Sequence, residues 1–389
     1  MTRTMKTSIE AALLAVAASA ALVACGGGGD GGVAPAPASG TLRVALTDAP
    51  ACGFTEVNVT VERVRFHTSS GAGDNDAGWV DIVVSPARTL NLLDLMNGVV
   101  AELGQTTLPA GQYTQVRLVL APNRNTVMPD GMGSMPLDTP SGTQSGLKLS
   151  PGFTVAPNQL TDLVIDFDAC RSIVQRGNGS YGLKPVLSVI PRTGAAIQGY
   201  VQTGVAMVTV SAQKNGVVLR ATQPNSAGLF VLAPVDPAQT PYDVVFTAPD
   251  SKTSVVTTVP ATENTTTTLG TIGSPIQMPT STKGAVDGRV TLSGSAATPS
   301  VRAIQNVTGA LKVEVAHKNA DLLGNYSLSL PLLAPLTAPY ATPLGAFTSQ
   351  DAAAGKYDLE ASASGYQTGT RLNVTAPATG QDFTLLPTP

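Results

Sequence analysis

The chain has 389 residues, of which 39 are Gly and 29 Pro, while only 13% are charged and 4% aromatic; its formal charge is −3. At roughly 100–200 residues per domain this length predicts two to four domains, and short Val/Leu/Thr runs between Gly and Pro breaks predict strands and turns rather than helices. A mildly acidic chain without a basic cluster lacks the electrostatic footprint of a nucleic-acid binder, so no nucleic acid is expected among its partners.

Arg3 and Lys6 precede an apolar run, Ala11 to Val23, that has the length of an export signal and is too short to span a bilayer. Glu10 at its edge is atypical. The run ends in Leu22-Val23-Ala24-Cys25, which resembles the lipobox of bacterial lipoproteins. The resemblance implies that residues 1–24 are a cleaved signal peptide and that the Cys25 thiol takes a diacylglyceryl group; an ordinary signal peptide with an incidental cysteine is the alternative. With about 0.8 kcal/mol per buried CH₂, several acyl chains anchor stably, so the membrane is the expected partner at this end. Residues 25–40, Gly-rich and then Pro-Ala, form a flexible tether with a reach of about 20 Å. Gly26 and Gly27 follow the cysteine where Asp is absent, and by resemblance to the sorting rule of enteric lipoproteins this implies the outer membrane, with the leaflet open.

From Thr41 the pattern becomes period two. Leu42, Val44 and Leu46 share one side, as do Val57, Val59 and Val61, which predicts half-buried strands. Further strands are expected at 79–84, 115–120, 160–167 and 183–190. Leu90 to Met96, followed by Asn97-Gly98, predicts a short helix or turn, and the Pro-, Gly-, Ser- and Met-rich stretch 128–146 predicts a loop. Leu46-Thr-Asp-Ala-Pro50, Leu93-Asp-Leu-Met-Asn-Gly98, Leu108-Pro-Ala-Gly-Gln-Tyr-Thr-Gln-Val-Arg-Leu118, Asp166-Phe-Asp-Ala169 with Ser172, and Leu183-Lys-Pro-Val186 resemble an uncharacterised family of bacterial lipoproteins, domain of unknown function 4382. That resemblance covers residues 41–192 and implies no activity.

Residues 196–273 and 284–389 follow one plan: a Gly-x-Val strand (Gly199-Tyr-Val201; Gly288-Arg-Val290), a Gly-aromatic strand (Gly228-Leu-Phe230; Gly324-Asn-Tyr326) and a Tyr-Asp strand (Tyr242-Asp243; Tyr357-Asp358). Their order resembles the carboxypeptidase regulatory-like, transthyretin-type sandwich, an accessory β-domain. The expected fold is therefore all-β, three tandem β-sandwiches after the signal peptide and tether.

Residues able to carry chemistry are few. His67 and His317, the only two imidazoles, fall in different domains and are expected on exposed strand positions; they are too few for a zinc site or a Ser-His-Asp arrangement. Gly177-Asn-Gly-Ser-Tyr-Gly182 matches a nucleotide-loop pattern but leads into a strand, which predicts a hairpin turn. Asp48, Asp166 and Asp168 are candidate calcium ligands, with turn capping as the plainer alternative. Met128, Met132 and Met135 are candidate Cu(I) ligands against an adaptable loop. Trp79, the single tryptophan, is expected in the core. Cys52 and Cys170 both sit just past strand ends in an oxidising compartment and are expected to form a disulfide, with two buried thiols as the competing reading. The function expected is a non-catalytic binding or scaffolding module of the cell envelope, without a cofactor, whose partner is an envelope protein or polysaccharide that the residues do not name. The alternatives are a carboxylate hydrolase of envelope polymers built on Asp166 and Asp168, and a copper binder built on the methionine stretch.

Overall fold

The alternation read along the chain becomes strand after strand in the computed structural model, which describes residues 38–49, 53–294 and 297–388. The first domain runs through β1 (Ser39–Ala49), β2 (Phe54–His67), β3 (Val80–Asn91), β4 (Ala101–Pro109), β5 (Gly111–Tyr113), β6 (Gln115–Leu120) and β7 (Thr126–Pro129). It continues with β8 (Met135–Asp138), the short helix α1 (Pro140–Gln144), β9 (Leu147–Leu149), β10 (Phe153–Val155), β11 (Leu160–Asp168), the one-turn helix α2 (Ala169–Ser172), β12 (Ile173–Gln175), β13 (Tyr181–Leu183) and β14 (Leu187–Pro191). One sheet has the order β14-β11-β1-β4, and the other runs β12-β13-β8-β7-β2-β6-β9 with β3 also beside β2. In β2 the side chains of Val57, Val59 and Val61 face the core; a bulge at Val61/Arg63 then shifts the phase, so that Val64 and Phe66 stay on the same buried side.

Two expectations about local structure are corrected here. Residues 128–146 are not a loop, because Val127 pairs with Met135 in a β7–β8 hairpin and Pro140 opens α1. β1 is not half-buried either: besides Leu42, Val44 and Leu46, its other side holds Ala45 and Thr47, both fully buried, because the second domain covers that face. The expected turn at Leu90–Met96 is a 3-10 turn, Leu92–Leu95, followed by Asn97 and Gly98 at φ of 56° and 78°.

The second domain comprises β15 (Ala196–Tyr200), β16 (Thr209–Lys214), β17 (Val217–Thr222), β18 (Leu229–Leu232), β19 (Tyr242–Thr247), β20 (Ser254–Val259) and β21 (Thr266–Leu269). The third comprises β22 (Lys283–Leu292), β23 (Ser300–Thr308), β24 (Leu311–Asn319), β25 (Asn325–Pro331), an excursion with β26 (Leu336–Pro339) and β27 (Thr348–Ser349), then β28 (Lys356–Ser362), β29 (Gly369–Thr375) and β30 (Phe383–Leu385). Setting the excursion aside, the sheets are β18-β15-β21 with β17-β16-β19-β20 in one domain and β25-β22-β30 with β24-β23-β28-β29 in the other. The wiring is the same in both.

The repeated sequence signals have physical causes in this wiring. A Cβ on Gly199 would sit 1.7 Å from Leu269 O, and one on Gly288 would sit 2.3 Å from Gln381 O, because the last strand of each sandwich crowds the first there. Gly228 and Gly324 adopt φ of 79° and 82° in the turn before the fourth strand, a region that L side chains disfavour. Tyr242 and Tyr357 fill the two cores and donate their hydroxyls to Asp236 O and Pro331 O. The aspartates after them accept the amides of Thr258 and Asn373, residues with φ of 56° and 57°, and so pin an equivalent bulge.

The excursion leaves its own domain. β26 pairs in parallel with β20 of the second domain, Ser254 opposite Leu336 through Thr257 opposite Pro339, and β27 pairs with β26. A small apolar cluster of Val245, Val255, Val307 and Val313 joins the same two domains. The segment 274–282 between the repeats also packs back, burying Ile276 and Met278 in the second core.

Candidate functional site

Three sets of buried polar side chains converge where the domains meet. Arg220 enters from β17, a strand that is otherwise Val, Leu, Ala and Thr, and is 2% exposed. Its guanidinium pairs with the Asp166 carboxylate and donates to Thr47 Oγ1 at 2.8 Å and Ala233 O at 3.1 Å. Register makes this possible, since Thr47 lies opposite Asp166 and both face out of the first domain's sheet. Burial pushes Arg220 down to about 10, and the charge of Asp48 acts against that. Beside it, Asn97 donates its main-chain N–H to Thr222 Oγ1 at 3.0 Å, and its side-chain Oδ1 accepts Val231 N at 3.2 Å.

Glu314, on β24, touches all three domains. Its main chain exchanges two bonds with the Gln213 side chain, at 2.8 and 2.9 Å. Its carboxylate, 4% exposed, meets Arg171 of the first domain and Arg302 of its own. Arg302 also donates to Gly216 O at 2.9 Å and pairs with Glu360. Burial raises the Glu314 pKa, and the two guanidiniums oppose that rise. Asp168 behaves alike: burial raises it, while Arg171 and the amide it accepts from Arg171 at 3.0 Å lower it. Lys184 donates to Thr298 O at 2.7 Å, tying the first domain to the third.

Around these pairs lie a cavity of about 240 Å³, lined by Asp168, Arg171, Ser211, Glu314 and His317, and one of about 380 Å³, lined by Lys184, Arg302, His317 and Glu360. A wider groove of about 910 Å³ runs between Phe54, Ile173, Tyr181 and the turn at Leu322. His317 is half-buried, and burial together with Arg171, Lys184 and Arg302 pushes it down to about 3, so the imidazole is neutral.

The structure redistributes the candidate residues. Asp166, one of the two carboxylates named for hydrolysis, is 7% exposed and paired with Arg220 beneath the second domain. Asp168 caps α2, and Asp48 Oδ1 accepts Ala169 N at 3.0 Å, so capping is the role these aspartates fill. No group of three or more His, Cys, Asp or Glu among the described residues is placed to hold a metal. The methionines do not converge: Met135 packs with Val127 toward the core, Met128 is one residue out of phase with Val127, and Met132 is exposed at the hairpin tip. Gly177 to Ser180 lies in the turn of the β12–β13 hairpin, and Tyr181 and Gly182 begin β13.

Neither histidine is exposed, contrary to expectation. His67 is 8% exposed, with Nδ1 accepting Ser69 N at 2.9 Å, so Nε2 donates to Ala77 O at 3.0 Å. Trp79 is not in the core. It lies between Arg65 and Arg117, each 4.7 Å from its ring, with Nε1 donating to Gly73 O at 2.8 Å. Those arginines are directly opposed across β2 and β6, and the ring with Asp81 and Asp74 separates and neutralises the like charges. Cys25 and Cys52 lie outside the described residues.

Residues 39–185 match the model of the family described as Domain of unknown function (DUF4382), which bears out the resemblance of the first domain. No curated protein matches the chain. Among solved structures, the Bacillus anthracis TIE protein is 10% identical with a TM-score of 0.16; the match covers 90% of this chain, which spans 51% of that one. A streptococcal ancillary pilin is 7% identical with a TM-score of 0.18, covering 90% of this chain and 99% of the pilin. BcpA, the major pilin subunit of Bacillus cereus, is 10% identical with a TM-score of 0.16, covering 90% and 100%.

Two outcomes follow from the junction. Asp166→Ala removes the carboxylate bonded to the buried Arg220 guanidinium, leaving only the nearby charge of Asp48, and is expected to cost about 3–5 kcal/mol in urea unfolding, whereas Asp166→Leu with Arg220→Met costs much less. A loss below about 1 kcal/mol for Asp166→Ala contradicts a buried pair. The unfolded His317 imidazole takes its proton near pH 6.5 and the folded one only at about pH 3, so its stabilisation is complete above 6.5 and is lost as pH falls. Between these values the wild-type chain should lose about 1.4 kcal/mol per pH unit more than His317→Gln. Parallel curves for the two proteins contradict the assignment.

Proposed function

We propose that the chain is a lipid-anchored, non-catalytic module of the cell envelope that presents three β-domains as one fixed body for binding or scaffolding. The observation that supports this best is the junction itself. Arg220–Asp166, Glu314 with its two arginines, and the β20–β26 pairing fix the domains to one another, and residues 38–389 form a single compact unit. Neighbouring domains in one chain move relative to each other unless something holds them, and buried ion pairs with a shared strand ladder are contacts that do so, which favours a role that depends on held geometry. The anchor is Cys25 with the 25–40 tether, in the outer membrane, and the partner is an envelope protein or polysaccharide. The second and third domains fit the carboxypeptidase regulatory-like plan, a reading supported by their shared wiring and by the glycine and Tyr-Asp positions that repeat with it.

The Cys52–Cys170 disulfide belongs to the same proposal. Its support is the parallel β1–β11 register, in which Ala49 lies opposite Asp168, so the two strands that precede the cysteines in sequence end side by side. Closing a loop of roughly 120 residues restricts the unfolded chain by about 4–5 kcal/mol.

Cys25→Ser is expected to abolish incorporation of labelled palmitate and to move the folded body out of the detergent-extracted membrane fraction; palmitate entering the variant refutes the anchor. For the disulfide, protein purified from the envelope and denatured without reductant should leave Cys52 and Cys170 unalkylated. Two alkylated cysteines at those positions refute the bridge.

A further inference from the structure

The two sandwiches differ at one edge. In the second domain the outer edge of β20 is covered by β26, with Leu336 N donating to Thr253 O at 2.8 Å and Tyr340 N to Thr257 O at 3.0 Å. In the third domain the equivalent strand is β29. The correspondence is fixed residue by residue, because Tyr242 opposite Val259 matches Tyr357 opposite Val374, and the bulge that follows occurs in both. Ser254, Val255, Val256 and Thr257 thus correspond to Gly369, Thr370, Arg371 and Leu372.

Among the described residues no strand lies on the outer side of β29. The side chains along the two strands also differ in exposure, since Val255 packs with Val307 and Val313 of the third domain and Val256 lies in the second core. Val255 and Val256 are fully buried, while Thr370 and Arg371 are exposed and Leu372 is 67% exposed. Residues of a parallel ladder present N–H and C=O to the same neighbour at every second position, so Thr370 and Leu372 turn theirs outward, as Val255 and Thr257 do toward β26.

Open edges are normally guarded by Pro, by Lys or by a charge held over the edge. β29 contains neither Pro nor Lys. Its one charge is drawn away, since Arg371 lies over the Phe383 ring and donates to Asp382 O. The bulge at Asn373 gives no protection either, because its counterpart at Thr258 coexists with a paired strand.

We propose that the outer edge of β29, at Thr370 and Leu372, docks an extended segment of a partner protein that runs parallel to β29. The segment is uncharged, with apolar and small residues in alternation, the chemistry of Leu336-Thr-Ala-Pro339 on the equivalent edge. Main-chain bonds supply the attachment and Leu372 supplies apolar area beside it. This inference does not depend on the lipid anchor.

The test titrates a fluorescent peptide of residues 333–341, Leu-Ala-Pro-Leu-Thr-Ala-Pro-Tyr-Ala, onto the full chain. Saturable binding is expected, weakened about ten-fold by Thr370→Pro, which removes one outward N–H and leaves the bonds to β28 in place. Leu372→Lys, at an exposed side chain, should weaken it comparably and keeps the test decisive if the proline variant fails to fold. A photoreactive group at the peptide tyrosine should crosslink within residues 369–375. The proposal is overturned by absence of binding up to about millimolar peptide, by equal binding to both variants, or by crosslinks on β20, which mean displacement of the chain's own strand. Self-association of the chain that Leu372→Lys abolishes, without peptide binding, also overturns it and makes a second copy the occupant.

Discussion

The arrangement of the three domains depends on a buried guanidinium. Arg220 comes from the second domain, yet its carboxylate partner, Asp166, and one of its acceptors, Thr47, belong to the first. A charge taken out of water is costly unless its partners are held in place, and here they are held by the parallel pairing of β1 with β11. The central strands β1 and β11 of the first domain's sheet therefore have two covered faces, one over their own core and one under the second domain. The period-two pattern of β1 breaks at Ala45 and Thr47 for that reason.

Glu314 repeats the logic at the third domain with different means. Its main chain is fixed by Gln213 of the second domain and its carboxylate by Arg171 of the first and Arg302 of its own, so this one residue is bonded to all three domains. The β26–β27 excursion adds a second kind of connection, in which a segment of one sandwich completes the sheet of another. The domains are thus joined by polar groups that need one another and by a shared ladder of main-chain bonds, rather than by a broad apolar seam. Such junctions fix relative orientation, since a guanidinium finds its carboxylate in only one geometry.

Much of the fold could be read from the chain because its causes are local. The strands follow period two, and the repeat shows in Gly199 and Gly288, in Gly228 and Gly324, and in Tyr242-Asp243 and Tyr357-Asp358, each demanded by a crowding or a turn within one sandwich. The junction could not be read, because its partners are remote: Arg220 and Asp166 are 54 residues apart, Arg171 and Glu314 are 143 apart, and neither pair has spacing to betray it. An arginine amid the apolar residues of Val217–Thr222 was the one available signal of a buried charge. Trp79 misled because a lone tryptophan suggests core, while its place is set by Arg65 and Arg117, brought together only by strand register. β26 was hidden for a related reason, since a short run ending in Pro reads as loop until another domain's edge pairs with it.

The central claim is that residues 38–389 behave as one body, and differential scanning calorimetry of that body tests it most directly. The account predicts one cooperative transition whose calorimetric and van't Hoff enthalpies agree. Separate transitions for the three domains, or a calorimetric enthalpy about two to three times the van't Hoff value, would contradict it.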